Sequence, residues 1–236
     1  MAGSSDLVFI HPRYSDLPNS LKGTLFDPVK LKAAGLITKE LIGRGTTFFF
    51  KLREQDCVLR HYWRGGIVRH LSADLYYWMG LSKTRSYREW QLLGTLENLG
   101  LPAPRRVALR IQRQGFLYRS DIVTEEIHQV TSLAEILKER PATEDEWKRV
   151  GMTIRAYHDH HIFHQDLNAN NVLLGVESCH LIDFDRGRIL LGAWWQNSVL
   201  NRLKRSLEKL NRNHEVFHHN SHGWSYLLDG YAISEF

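Results

Sequence analysis

The hydrophobic pattern of this 236-residue chain changes its period near residue 128. Before that point, short runs of apolar and β-branched residues are separated by turn residues, a pattern typical of β-strands. Beyond it, apolar residues recur at helical spacing, and Thr143-x-x-Glu146 is the signature of a capped helix start. A chain whose strands precede its helices folds into the α+β class. We therefore predict a strand-rich lobe over residues 1–128 and a mainly helical lobe over residues 129–236, with a cleft between them.

The same pattern predicts the individual elements. They are a hairpin of residues 41–52 and 57–62, a helix over 86–99 that ends before Gly100, strands over 106–112 and 116–127, a helix from 143, a second hairpin of residues 172–174 and 180–182, and a helical tail. Consecutive strands joined by short turns pair antiparallel, so an antiparallel sheet is expected in the first lobe.

The composition excludes several classes of protein. With 43% hydrophobic and 24% charged residues, the chain can bury a core and does not read as disordered. Cys57 and Cys179 cannot form a disulfide framework and indicate a reducing compartment. No apolar run is long enough to cross a bilayer, and residues 1–6 lack the features of a signal peptide, so we predict a soluble, cytoplasmic protein. The net charge of +5 favours an anionic partner without choosing among nucleic acid, phosphorylated metabolites and acidic membranes.

Local structure gathers two carboxylates and an amide in the second half. Residues 172–174 and 179–182 flank a turn and should pair, so Asn171 enters the first strand at the end where Asp183 leaves the second. The loop that contains Asp166 lies beside them. Oxygen ligands of this kind suit Mg²⁺, and a carboxylate left off the metal could accept a proton from an attacking hydroxyl. A polar loop in which Asp and Asn cap turns is the alternative.

These residues resemble the catalytic and metal-binding loops of the protein-kinase-like superfamily. The matching motifs are His164-x-Asp166-x-x-x-x-Asn171 and Asp183-Phe184, in this order and with a hairpin between them. The resemblance implies a bilobal protein-kinase-like fold, with Asp166 as the catalytic base and with Asn171 and Asp183 as ligands of Mg²⁺. It gives His164 a structural role in the loop.

The resemblance also assigns ATP-binding residues in the strand-rich half. Gly43 and Gly45 lie where a glycine-rich loop covers the phosphates, although a third glycine is missing. Arg60 stands at the third-strand position that normally holds lysine, and Glu89 is its predicted ion-pair partner. An ordinary β-turn at the glycines and a solvated Glu89 are the alternatives. The predicted cofactor-binding set is completed by Glu126 and His128.

Several departures from the protein-kinase pattern narrow the class. Gln165 replaces the usual arginine beside the catalytic aspartate, Asp185 replaces a glycine, and Asn168 replaces a phosphate-contacting lysine. No Ala-Pro-Glu segment follows Asp183, so the platform on which protein kinases bind peptides is largely missing. These features favour a kinase of a small molecule or a glycan.

Further motifs resemble the lipopolysaccharide core kinases that act on 3-deoxy-D-manno-octulosonic acid (Kdo). The motifs are Leu59-Arg60-His61-Tyr62-x-Arg64-Gly65-Gly66, Thr84-Arg85-Ser86-x-x-Glu89, Gly100-Leu101-Pro102-x-Pro104, Asp183-Phe184-Asp185-Arg186-Gly187 and Arg202-Leu203-x-Arg205-Ser206-Leu207. The resemblance implies an ATP- and Mg²⁺-dependent phosphotransferase that phosphorylates the 4-hydroxyl of Kdo on a Kdo-lipid A precursor (Kdo-lipid IVA) in lipopolysaccharide inner-core biosynthesis. It also implies peripheral attachment to the cytoplasmic face of the inner membrane. The predicted acceptor-binding residues are Arg64, Arg85, Asn168 and Asp185.

Two parts of the chain have the chemistry expected of a partner for an anionic glycolipid or an acidic membrane. Between residues 60 and 88, six lysines and arginines are opposed by one acid, Asp74, and residues 75–79 form an aromatic and apolar cluster. In the tail, an apolar stripe through Leu203 and Leu207 is flanked by basic residues. That helix could lie on a bilayer or pack in the core, and a solvated face with core aromatics is the alternative for the first segment.

Other functions compete with this hypothesis. A kinase of this fold could act on a core heptose, or on a protein in the manner of RIO-type kinases. The chain could instead be a non-catalytic basic binding module, although Asp166, Asn171 and Asp183 are intact and we find no nucleic-acid-binding motif. Two groups of histidines, at 158–164 and 214–222, have no cysteine nearby, so we predict surface histidines rather than a zinc site.

Overall fold

The computed structural model describes residues 4–42, 46–63 and 74–233, and the chain divides into two compact units. One unit comprises Met1–Gly94 and Pro104–Glu126, and the other comprises Thr95–Ala103 and Ile127–Phe236. Strands dominate the first unit and helices the second. The predicted α+β class is therefore confirmed.

An antiparallel sheet forms the first unit. Its strands are β1 (Ser4–Ile10), β2 (Ile37–Ile42), β3 (Thr46–Leu52), β4 (Gln55–His61), β5 (Tyr76–Tyr77), β6 (Arg106–Gln114) and β7 (Leu117–Glu125). They lie in the order β1-β6-β7-β4-β3-β2, and β5 pairs with β7. The predicted hairpin is confirmed as β3 and β4, which turn at Arg53 with a positive φ of 57°. The prediction of one strand over residues 41–52 is wrong, because β2 ends at Ile42 and β3 begins at Thr46.

Three α-helices accompany the described part of this sheet. They are α1 (Asn19–Thr24), α2 (Pro28–Ala33) and α3 (Arg85–Asn98), and the sequence predicts only the third. A carboxylate oxygen of Asp27 caps α2 by accepting from the amides of Val29 and Lys30. Leu31 of α2 and Phe50 of β3 are fully buried in one apolar cluster. The amino-terminal helices therefore complete the core of this unit, although each has only six residues.

The second unit is built around two long helices and a short hairpin. Its elements are β8 (Thr131–Ser132), α4 (Leu133–Glu139), α5 (Glu144–Asp159), β9 (Ile162–Phe163), β10 (Val172–Leu174), β11 (Cys179–Leu181), β12 (Arg188–Ile189), α6 (Gln196–Asn213) and α7 (Ser221–Ala232). The predicted capping box opens α5: the Thr143 hydroxyl accepts from the amide of Glu146, whose carboxylate accepts from the amide of Thr143. The hairpin of β10 and β11 pairs Val172 with Leu181, as the spacing predicts.

Helices α5 and α7 pack with their backbones almost in contact. A Cβ atom added at Gly151 would lie 2.0 Å from the carbonyl oxygen of Leu227, and one added at Gly230 would lie 2.1 Å from that of Lys148. Backbone atoms cannot rotate away as a side chain can, so any larger residue at these positions would force the helices apart. These glycines fix α7 against α5, the helix that precedes the loop containing Asp166.

The apolar stripe of α6 is part of the core of the second unit. Val199, Leu203 and Leu207 are buried, and the hydroxyl of Ser206 accepts a hydrogen bond from the amide of Ala169 at 3.3 Å. Of the two possibilities for this stripe, core packing is therefore confirmed, and contact of these buried residues with a bilayer is not. The contact to Ala169 joins α6 to the loop that contains Asp166.

The prediction that the histidines lie on the surface is wrong for two of them. His158 and His164 are 1% and 2% exposed. His158 lies on the face of α5 that also carries Ile154, and its Nδ1 is 2.8 Å from the hydroxyl of Tyr231. Within the described ranges, no group of three or more His, Cys, Asp or Glu side chains could hold a metal ion.

Burial of His158 predicts a pH-dependent stability. Desolvation, with a smaller contribution from Arg155, lowers the pKa of His158 from 6.5 to about 4, whereas Asp159 opposes the shift. The folded state thus holds this imidazole neutral, whereas the unfolded chain protonates it below pH 6.5. The contribution of the neutral imidazole to the free energy of unfolding is therefore complete above pH 6.5 and is lost as the pH falls towards 4. Between pH 7.5 and 5, it should remove about 2 kcal/mol from the free energy of unfolding.

Urea unfolding at the two pH values measures this loss. We expect His158→Gln to lose markedly less stability than the wild type between pH 7.5 and 5. The exposed His222→Gln should behave like the wild type. Equal losses in all three proteins would contradict the assignment of the titrating group.

Candidate active site

The β10–β11 hairpin places Asn171 beside Asp183. The amide of Ile182 donates to the carbonyl of Asn171 at 3.0 Å, one step beyond the pair of Val172 and Leu181. Asp183 follows directly and adopts a positive φ of 67°, a conformation that aspartate tolerates better than most residues. The prediction that these two residues lie at the same end of the hairpin is therefore confirmed by the backbone register.

The loop before β10 is held by its own amide side chains. Nδ2 of Asn168 and Nδ2 of Asn171 both donate to the backbone carbonyl of Asp166, at 2.8 and 3.1 Å. The Oδ1 atom of Asn168 accepts from the amide of Asn170 at 2.9 Å. These bonds fix the backbone at Asp166 and use both ends of the Asn168 side chain within the loop.

His164 ties this loop to the segment that contains Asp183 and Phe184. Its Nε2–H donates to the carbonyl of Ile182 at 2.9 Å, and its ring lies 4.8 Å from that of the buried Phe184. Burial, the largest cause, lowers the pKa of His164, which keeps the ring neutral. The ring of Phe184 in turn stacks on Tyr157 of α5. His164 thus has the structural role that the sequence predicts for it.

The donor atoms at this end of the hairpin fit Mg²⁺. Because Nδ2 of Asn171 is used by the Asp166 carbonyl, Oδ1 of Asn171 is the atom left for a ligand role, at the end of the hairpin from which Asp183 follows. Two oxygen ligands suit a cation that keeps several waters and completes its shell with substrate phosphates.

Asp166 itself is paired with an arginine that the sequence does not predict as a site residue. Oδ1 of Asp166 accepts from an Nη atom of Arg202, on α6, and the two side chains are 39% and 44% exposed. Arg202 belongs to one of the motifs that carry the family resemblance, and that motif is the sequence signal that could have identified it as a site residue. The sequence does not show that α6 packs, through Ser206, on the loop that contains Asp166.

In the first unit, the predicted ion pair of Arg60 and Glu89 is confirmed. Arg60 of β4 donates to one carboxylate oxygen of Glu89, and the hydroxyl of Tyr62 donates to the other. Glu89, on α3, is 1% exposed, whereas 29% of the Arg60 side chain is exposed to solvent. The carboxylate is therefore satisfied at both oxygens, and it holds the guanidinium in one place.

Loss of Arg60 should weaken both folding and ATP binding. Arg60→Gln leaves the buried carboxylate of Glu89 without its cation, which should cost about 3 kcal/mol in the free energy of unfolding. The resemblance assigns Arg60 to the phosphates of ATP, so the loss of its charge-assisted bonds should raise the Kd for ATP by about tenfold to a hundredfold. Urea unfolding and nucleotide titration measure the two effects.

A matched control lies in the same sheet. Arg119 pairs with Asp74, but its side chain is half exposed, so Arg119→Gln should change stability by less than about 1 kcal/mol. Wild-type stability and ATP affinity in Arg60→Gln would remove Arg60 from the predicted site.

The remaining predicted site residues are placed as follows. Gly43, Gly45 and Arg64 lie outside the described residues. The guanidinium of Arg85 packs over the ring of Tyr76 and donates to its hydroxyl at 3.0 Å. The other three lie on connecting segments: Glu126, whose amide donates to the carbonyl of Asp56, the exposed His128, and the half-buried Asp185. Acceptor binding by Arg64, Arg85, Asn168 and Asp185 stays a prediction, as does cofactor binding by Gly43, Gly45, Glu126 and His128.

The fold and the Asp166–Asn171–Asp183 arrangement together define a phosphotransferase of the protein-kinase-like class. The sequence profile of the Lipopolysaccharide kinase (Kdo/WaaP) family matches residues 30–231. The chain is 40% identical over 176 residues to a 3-deoxy-D-manno-octulosonic acid kinase of Vibrio cholerae. That alignment covers 74% of this chain and 75% of the relative. It is 35% identical over 234 residues to a 3-deoxy-D-manno-octulosonic acid kinase of Photobacterium profundum. That alignment covers 98% of this chain and 99% of the relative.

The chain belongs to the Lipopolysaccharide kinase (Kdo/WaaP) family. The predicted kinase-like fold and the predicted enzyme class, a phosphotransferase that acts on a hydroxyl group, are thereby confirmed.

Proposed function

We propose that this protein transfers the γ-phosphoryl group of ATP to the 4-hydroxyl of Kdo on a Kdo-lipid A precursor, Kdo-lipid IVA, in lipopolysaccharide inner-core biosynthesis. The observation that carries the proposal is the placement of Asp166, Asn171 and Asp183 at one end of the β10–β11 hairpin. The full-length similarity to a kinase named for this sugar supports the acceptor.

The residues of the catalytic loop supply orientation and a proton acceptor. In the proposed step, the acceptor hydroxyl oxygen forms a bond to the γ-phosphorus while the bond from that phosphorus to the bridging oxygen breaks, and ADP leaves with the electron pair. Oδ2 of Asp166 orients the hydroxyl and takes its proton, because Oδ1 is paired with Arg202. Mg²⁺, when bound by Asn171 and Asp183, neutralises charge on the triphosphate.

Phosphate transfer from labelled ATP tests the donor and the acceptor together. Purified protein with Mg²⁺ is offered Kdo-lipid IVA, lipid IVA without Kdo, a heptose-bearing core fragment and a protein substrate. We expect label only on the first lipid, and a phosphorus–proton correlation spectrum should place it on O4. Label on the heptose fragment or the protein would favour the other acceptors, and label on O5 or O7 would move the position within Kdo. A chain that binds nucleic acid with a steep salt dependence and transfers no label would be a binding module.

We also propose that the protein attaches peripherally to the cytoplasmic face of the inner membrane. In the described ranges, no helix combines the length and the apolar character that a membrane span requires. The support is a segment after the metal-binding loop whose Ile189, Leu191 and Trp194 side chains are all more than half exposed. The segment is ordered by its neighbours: the amide of Leu190 donates to the carbonyl of His161, and the buried Trp195 donates to the carbonyl of Leu190. Exposed Arg186 and Arg188 give it the charge that anionic lipids attract.

Cosedimentation with vesicles tests this attachment. We expect binding to phosphatidylcholine vesicles that contain phosphatidylglycerol, and weaker binding to phosphatidylcholine alone. Glutamate at Leu191 and Trp194 together should abolish binding, whereas Val176→Glu, at an equally exposed apolar position in the β10–β11 turn, should not. Binding that survives Leu191→Glu/Trp194→Glu would place the membrane contact elsewhere.

A further inference from the structure

The ion pair between Arg202 and Asp166 places a cation beside the proposed proton acceptor. Arg202 is held there by its helix, because Leu203 and Leu207 are buried and Ser206 bonds the catalytic loop at Ala169. The position of the guanidinium is therefore set by the fold of the second unit. This ion pair is not buried, since more than a third of each side chain is exposed to solvent.

Most of the hydrogen-bonding capacity of Arg202 is left for another group. A guanidinium has five N–H donors in a fixed fork, and in the described part of the chain only Asp166 accepts from Arg202. An exposed pair of this kind contributes about 0–1 kcal/mol to stability, so folding alone gives little reason for it. A planar fork with several unused donors is the geometry that binds a carboxylate through two parallel bonds.

We propose that Arg202 forms a carboxylate-binding subsite that positions the sugar acid for transfer. This inference rests on the proposed function, because it takes its ligand from the acceptor. An octulosonic acid carries its carboxylate at C1, and in the 3-deoxy sugar only one methylene separates C2, which bears that carboxylate, from C4. A guanidinium next to Asp166 therefore binds the carboxylate of the sugar ring. The 4-hydroxyl of the same ring donates its hydrogen bond to Oδ2 of Asp166.

The charges at this point favour an acid over a neutral sugar. The cation of Arg202 compensates part of the repulsion that the carboxylate of Asp166 would exert on an anionic acceptor. When the acceptor binds, the guanidinium can bridge the two carboxylates, which fixes the hydroxyl relative to its proton acceptor. Arg202 is then a specificity-determining residue for sugar acids, and a neutral analogue loses both the bonds and the orientation.

A comparison of two acceptors with two proteins tests the subsite. The acceptors are a soluble α-Kdo glycoside and its carboxamide, which differ only in the charged group, and the proteins are the wild type and Arg202→Gln. We expect the wild type to prefer the acid by about tenfold to a hundredfold in kcat/KM, the worth of charge-assisted hydrogen bonds. Arg202→Gln should lose most of that preference because its rate on the acid falls towards its rate on the amide. Arg202→Lys, which keeps the charge without the fork, should lie between the two.

Arg205→Gln is the matched control, since Arg205 is an exposed arginine on the same helix. It should retain the wild-type preference. A wild type that phosphorylates acid and amide equally would overturn the subsite while leaving the proposed function intact. Equal losses on both acceptors in Arg202→Gln would reduce Arg202 to a support for Asp166, and faster transfer to both would make it an inhibitory contact. A wild type that phosphorylates Kdo in no form would instead overturn the proposed function.

Discussion

Asp166→Asn should reduce phosphoryl transfer by about a thousandfold while the protein stays folded. The substitution keeps the size of the side chain but removes the charge that, in the proposed mechanism, orients the acceptor hydroxyl, and the basic oxygen that takes its proton. Folding should change by less than about 1 kcal/mol, because Asp166 and Arg202 form a partly exposed pair. The backbone carbonyl of Asp166, which Asn168 and Asn171 bind, is untouched.

Single-turnover transfer from labelled ATP, a thermal melt and a nucleotide titration separate these effects. The control is Asp229→Asn, at an exposed carboxylate on α7 of the same unit, which should match the wild type in all three measurements. Turnover near the wild-type value in Asp166→Asn would show that another group accepts the proton. Loss of ATP binding together with turnover would show that the substitution disturbs the loop rather than the chemistry.

The active site could be predicted where its geometry is local. Asn171 and Asp183 are joined through a hairpin of two three-residue strands, so their proximity follows from antiparallel pairing and requires no knowledge of the rest of the fold. Arg60 and Glu89 are 29 residues apart in the chain, and their ion pair was predictable only through the family motif. The contact between Arg202 and Asp166 depends on where α6 docks, which no pattern within either segment specifies.

The same distinction explains the errors in the fold. Helices α1 and α2 have six residues each, too few to display a helical period, and tertiary packing of residues such as Leu31 stabilises them. His158 could have been predicted as buried, because it follows Ile154 by four residues and so lies on the apolar face of α5. The prediction of surface histidines rested on the lack of a nearby cysteine and did not use this spacing. The bond to Tyr231, 73 residues away, is what satisfies that polarity.

Asp183→Asn should lower the rate by about a thousandfold at a fixed Mg²⁺ concentration and should raise the concentration needed for half-maximal activity. An amide oxygen is neutral and binds a hard cation more weakly than a carboxylate does. Asparagine is the informative replacement because Asp183 has a positive φ of 67°, which asparagine tolerates as well as aspartate does, so the turn into Phe184 is kept. A larger or β-branched residue would confound the loss of a ligand with strain in the backbone.

Metal titrations of the transfer rate distinguish a lost ligand from a damaged site. With Mn²⁺, which binds oxygen ligands more tightly than Mg²⁺, Asp183→Asn should recover more of its rate than Asp166→Asn does, because only the first variant is limited by metal affinity. Asp229→Asn should show the wild-type metal requirement. If Asp183→Asn kept that requirement and lost only rate, Asp183 would act on the acceptor or on the loop, and Asn171 would need a different partner among the residues that hold the cation. A raised requirement with recovery in Mn²⁺ would instead tie the register of the β10–β11 hairpin directly to catalysis, since that register alone brings Asn171 and Asp183 together.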